Sequence, residues 1–360
     1  MNARKLLTKR SGHWLVAGAA LACFGAACST GSPAPVAATA RTRPLVYRVV
    51  YRVESLTDRP TRVSWEELTA RRPFEVSNVT YPSRATVGST PQAGTLTSVD
   101  HLFLWRPDGL HALSGRQPAV GTADQALLPV VRAAVDRGLA RPGATRVVAG
   151  RRCRDYRFLE PPAGPVKRLG SAGHDELCLD ADGFVLREAW TLHGRLVLRR
   201  TAVTVDLAPA GLDAVLDTST AQPAPPGVPS VLPATDRDSW LPAPPAPAGF
   251  HLATHVRFVF TSFSQPNAPP QVLYTSVVWA FTRRADLIVV EAGQTASLNL
   301  PWQASDPSRP ARLPLGRAAS VIRSDGAELR VALAGGRWVR VRGTVSPDAL
   351  ASYAHRLRRP

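Results

Sequence analysis

The chain has 360 residues, with 44 lysines and arginines against 27 aspartates and glutamates for a formal net charge of +17, and only three of its cations are lysines. A chain of this length exceeds what one small core usually organises and points to two domains. The arginine excess suits nucleic acid or an anionic membrane surface, but an export segment at residues 1–27 excludes nucleic acid and leaves the membrane surface. Coding bias toward arginine, alanine and proline produces the same composition without any function attached.

The chain opens with Arg4, Lys5, Lys9 and Arg10 and no acid before an apolar run over residues 14–27. A basic stretch followed by a short apolar one is the order of a secretory signal, and the run is shorter than the ~20 residues a membrane-spanning helix needs. The mature chain then holds 40 basic residues against 27 acidic ones, a net of +13. Small residues close the run at Gly25, Ala26 and Ala27, followed by Cys28. This segment resembles the lipobox at which bacterial lipoproteins are diacylated on cysteine and cleaved just before it. The resemblance implies a signal peptide over 1–27, acylation of Cys28, and a polar tether over 28–42 that holds the protein at the outer face of the cell membrane. Gly25 stands where that family usually has a larger aliphatic residue, and Cys23 after Leu21-Ala22 is a competing site. Plain secretion with cleavage near Ala27 is the remaining alternative.

From residue 43 to 217 the pattern is mostly alternating strand. Tyr47, Val49, Tyr51 and Val53 fall on one face of an extended segment while Arg48, Arg52 and Glu54 fall on the other, so one face is buried. Further strands are expected over 62–65, 73–81, 95–106 and 152–159, with a long hairpin from 184–192 and 195–205. Pro107-Asp108-Gly109, Asp182-Gly183 and His193-Gly194 supply the turns. One helix is expected over 123–139, where Leu127, Leu128, Val131, Val135 and Leu139 recur at helical spacing ahead of Pro142-Gly143. Cys153 and Cys178, a leftover even pair in an oxidising compartment, read as a disulfide.

Nine prolines between 218 and 247 read as an extended, semi-rigid linker, with Trp240 available to dock on a domain. A smaller second domain over 248–360 carries strand patterns at 252–263, 272–281, 286–292, 318–323, 329–333 and 338–345. It closes on a helix announced by Ser346-Pro347-Asp348: a capping hydroxyl, a proline suited to the first turn, and an acid at the positive end of the dipole. The fold class is α+β, a curved antiparallel sheet with few helices followed by a smaller antiparallel α+β domain.

The run from Gly150 through Cys153 to Tyr156, and then Cys178 through Asp180, Gly183, Leu186 and Arg187 to Glu188, resembles LolA-like and RseB/MucB-like domains. Asp286 to Glu291, Trp338 to Val345 and Ser346 to Leu350 resemble the smaller second domain of the RseB type. The resemblance implies a curved half-barrel that holds an acyl chain or a lipoprotein fragment in a concave apolar face. Paired cysteines and a lipid anchor are not general features of those families, which puts a soluble shuttle role in doubt. No anti-sigma-factor contact residue carries over, because no local motif matches one.

The chain lacks a Gly-x-Ser-x-Gly elbow, a phosphate loop, a dinucleotide fingerprint and a zinc helix, so the reading is non-enzymatic, with an envelope hydrolase as the minority alternative. No cofactor or metal is implied. His251 and His255 sit in a strand pattern, about 13 Å apart, too far to share a metal. His174-Asp175-Glu176 reads as a solvated loop. The candidate ligand-binding face is Tyr47, Val49, Tyr51, Trp65, Phe74, Phe103, Trp105, Tyr156, Phe158, Phe184, Leu186 and Trp190. The same residues serve equally as ordinary core beneath the helix and loops. The expected function is a surface-anchored protein binding a lipid or acylated ligand, and the alternative is a signalling protein that holds a membrane partner such as an anti-sigma factor.

Overall fold

The computed structural model describes residues 45–57, 60–99, 101–115, 128–159, 173–223, 230–262, 271–295, 300, 302, 308–323 and 326–358. The signal, the tether, Cys23, Cys28 and the first five residues of the expected 123–139 helix lie outside the described residues.

The first sheet has eleven antiparallel strands: β1 (Val46–Ser55), β2 (Arg62–Arg71), β3 (Glu75–Tyr81), β4 (Ala93–Thr97), β5 (His101–Arg106), β6 (Gly109–Gly115), β7 (Ala140–Val148), β8 (Arg151–Phe158), β9 (Gly173–Asp180), β10 (Val185–Leu192) and β11 (Arg195–Asp206). Their spatial order, β6-β5-β4-β3-β2-β1-β11-β10-β9-β8-β7, is two meanders joined where β1 pairs with β11. The alternation read in β1 is realised: Tyr47, Val49, Tyr51 and Val53 are buried while the intervening residues are partly exposed. The expected 95–106 strand divides into β4 and β5 around a turn in which Ser98 N–H donates to His101 O.

Two strands lie where loop or helix ending was expected. β9 takes in His174, Asp175 and Glu176, and Asp175 is buried, so this cluster belongs to the sheet and not to a solvated loop. β7 runs through Pro142 and Gly143, which mimic a helix terminator in the sequence. The strand accommodates them because it is the sheet's last strand and its register with β8 shifts between Pro142 and Thr145, an edge and a bulge being where proline is tolerated.

The second sheet has eight strands: β12 (Ser230–Pro233), β13 (His251–Ser262), β14 (Gln271–Arg283), β15 (Asp286–Thr295), β16 (Arg309–Leu313), β17 (Gly316–Arg323), β18 (Gly326–Ala332) and β19 (Arg337–Gly343), in the order β12-β13-β14-β15-β19-β18-β17-β16. The described α-helices are α1 (Leu128–Asp136), α2 (Leu212–Leu216) and α3 (Pro347–Ala354). Ser346 caps α3 by accepting from Ala349 N–H at 3.2 Å. Gly293 lets the Trp338 ring lie across the sheet: a β-carbon there would stand 2.3 Å from the ring.

One apolar core joins the two sheets. Val130, Val131 and Ala134 of α1 and Phe158, Leu177 and Leu179 of β8 and β9 cluster with Trp279, Val290 and Val341 of the second sheet and with Leu350, Tyr353 and Leu357. The described part of the proline-rich tract is more than an extended linker: β12 lies within it and pairs with β13, and Asp236–Asp238 form a short 3-10 turn. Leu241 is buried in this core, Trp240 Nε1–H donates to Gly293 O at 2.9 Å, and Tyr353 O–H donates to Pro245 O at 3.1 Å.

Candidate functional site

The interior of the first sheet's curl is built from the centre of β1 outward. Tyr47, Val49, Tyr51 and Val53 cluster with Leu68 and Ala70 of β2, Phe184, Leu186 of β10, and Cys153 and Cys178. The two cysteines form a disulfide with Cα atoms 5.4 Å apart, inside the range a bridge requires. The Tyr47 and Phe184 rings meet edge to face at 4.8 Å, and Tyr51 O–H donates to Val185 O at 2.9 Å. Tyr47, Val49, Tyr51, Phe184 and Leu186 are each 2 % exposed or less. These five side chains are thus buried together in one cluster with the disulfide.

Arginines lie over the aromatic rings of this cluster. The Arg72 guanidinium stands 4.6 Å from the Tyr47 ring centre and 5.3 Å from that of Phe184, with Arg151 5.5 Å from Phe184. Arg200 lies 3.7 Å over Tyr51. Such contacts reach about 2 kcal/mol when desolvated. Arg200 is buried and anchored by two carboxylates that β-pairing brings beside it: Glu66, opposite Tyr51 on β2, at 2.7 Å, and Glu188, opposite Arg200 on β10, at 3.8 Å. The close Glu66 contact is off the hydrogen-bond axis, since Arg200 Nε and Nη2 have no hydrogen-bond partner among the described residues. Trp190 Nε1–H donates to Glu188 at 2.7 Å. Burial raises the Glu188 carboxyl above its ordinary range, with Arg200 and the Trp190 hydrogen bond pulling the other way. Glu66, Glu188 and Arg200 were not among the expected site residues. Their signal is an arginine at an apolar phase of β11, between Leu198 and Ala202.

The twelve residues of the expected face are spread over several places. Tyr47, Val49, Tyr51, Phe184 and Leu186 share the cluster just described. Phe103 and Trp105 pack with Leu96, Leu110 and Leu216 beneath α2. Phe158 lies in the core shared by the sheets, with Tyr156 packed against it. Phe74 packs on Val256, Val278, Leu287 and Val289 of the second sheet. Trp65 is half-buried with Arg84 5.7 Å over its ring, and Trp190 sits at the carboxylates. His251 hydrogen-bonds with Thr282 at 2.9 Å and His255 stacks on Trp279 at 5.3 Å.

The chain is similar to MucB structures. The crystal structure of MucB in complex with MucA(peri) matches at 15 % identity over 87 % of this chain and 93 % of that one, with a TM-score of 0.30. The complex of Pseudomonas aeruginosa MucA/MucB matches at 14 % identity over 87 % and 92 %, TM-score 0.32. The crystal structure of MucB matches at 14 % over 89 % and 94 %, TM-score 0.31. No family model and no curated protein matches the chain. Among the described residues no helix is long and apolar enough to cross a membrane, and no three His, Cys, Asp or Glu side chains are grouped to hold a metal ion.

Proposed function

We propose that this chain is an exported, lipid-anchored, non-enzymatic binding protein of the cell envelope whose ligand is a segment of a membrane-protein partner. The observation that carries this reading is the filled interior of the curl. Tyr47, Val49, Tyr51, Phe184 and Leu186 are buried in one cluster with the disulfide, which favours the outer surfaces and strand edges as the places to hold a partner. The RseB-type resemblance in the sequence points the same way, toward a partner such as an anti-sigma factor. The lipobox-like segment ending at Cys28 supplies the anchor that would keep the protein beside such a partner.

The test is crosslinking in cells that make the full chain, with lipid mass spectrometry on the same purified protein. One dominant membrane-protein adduct and no stoichiometric lipid is the expected result. Stoichiometric lipid with no protein adduct overturns it and returns the reading to an acyl ligand.

A further inference from the structure

A cleft of about 220 Å³ opens where α1 meets the β7–β8–β9 end of the first sheet. Arg132 of α1 and Arg152 and Arg154 of β8 line it, over Tyr156 and Leu179. All three arginines are exposed, and among the described residues none of them has an ion-pair or hydrogen-bond partner. The acids nearby are already committed. Asp180, which also lines the cleft, takes Arg151 at 2.6 Å and the N–H groups of Asp182 and Phe184. Asp155 takes Arg146 at 2.5 Å and has Arg187 at 3.7 Å. Three positive charges are thus left over around one recess.

Their arrangement selects among anions. Arg152 and Arg154 are alternate residues of one strand, so their side chains leave the same face about 7 Å apart. Carboxylates at alternate positions of an extended polypeptide repeat at that same spacing, and a guanidinium takes a carboxylate with two parallel hydrogen bonds. β7, the neighbour of β8, ends the sheet, and its residues 141–147 are exposed on both faces. An added strand there would place its side chains within arginine reach of the cleft. A recess between helix and sheet suits such a chain better than a flat lipid surface.

We infer that this cleft docks an extended acidic segment of the protein partner, lying along β7 with alternate carboxylates on Arg152 and Arg154. The inference rests on the partner-binding reading above and names the chemistry of that partner. The full chain is titrated with a fluorescent twelve-residue peptide carrying glutamate at every second position. Parallel titrations use a peptide of the same composition with the glutamates in one block, and phosphatidylglycerol vesicles. The alternating peptide is expected to bind with an affinity that falls as salt rises. Arg152→Gln/Arg154→Gln, both at exposed positions, should weaken it at least tenfold, while Arg195→Gln on β11 leaves it unchanged. Equal binding of the block peptide, an unaffected double variant with an unshifted melting temperature, or vesicle binding that alone depends on the two arginines would each overturn the inference. The crosslinking experiment keeps the two failures apart. A partner captured equally well by the double variant removes this site and leaves the partner-binding reading standing, whereas no captured partner removes both.

Discussion

Reducing the Cys153–Cys178 bridge leaves two thiols in place and removes only the covalent constraint on the unfolded chain. The bridge closes a 25-residue separation, which on the chain-entropy model is worth about 3.5 kcal/mol at 25 °C. That is a large part of the ~5 to 15 kcal/mol typical of a domain. Both cysteines are buried in the cluster that holds Tyr47, Phe184 and Leu186, so Cys153→Ala/Cys178→Ala should lose the same constraint and add the cost of the voids left by two sulfur atoms. Urea unfolding of oxidised protein, protein in reductant and the double variant separates the two contributions. At a slope of about 3 kcal/mol/M, reduction should lower the midpoint by roughly 1 M, and the double variant should fall further. The strands bearing the cysteines also carry Phe158, Leu177 and Leu179 into the core shared with the second sheet. Protease protection is therefore expected to weaken in both sheets together. Identical midpoints for oxidised and reduced protein, or two titratable thiols in native aerobic protein, would refute the reasoning.

Other changes test other layers of the argument. Cys28→Ala should move the protein from the membrane to the soluble fraction, because no acyl chain can then be attached; mass spectrometry that finds acylation at Cys23 instead contradicts the assignment. Burial raises the Glu188 pKa above its unfolded value, so the stability tied to its protonated form is present below about pH 4.5 and fades as pH rises through the folded value. Glu188→Gln keeps an oxygen for Trp190 and does not ionise, so wild-type stability minus variant stability should decline over that window; a flat or rising difference in pH-dependent melts rejects the buried-carboxyl account. Gly293→Ala should cost about 1–3 kcal/mol or more by forcing Trp338 off the sheet, and near-UV circular dichroism should report the displaced indole.

Much of the secondary structure was legible locally. The period-two alternation of residues 47–53 settles which face of β1 is buried, because a strand sends successive side chains to opposite sides. Ser346-Pro347-Asp348 marks the start of α3 by chemistry confined to one turn. The Cys153–Cys178 pairing followed from there being two cysteines left to join. Where a residue's role depends on a partner far along the chain, local pattern was silent. Pro142-Gly143 ends a helix or sits in an edge strand according to whether another strand lies outside it, and only the sheet order decides that. Arg200 is an exposed-looking charge until Glu66, Glu188 and the Tyr51 ring converge on it through β-pairing. Likewise, twelve aromatic and aliphatic residues that alternate correctly in sequence do not share a surface merely for that reason. Alternation fixes the side of each strand, whereas the curl of the sheet and the docking of the second one determine which of those sides meet.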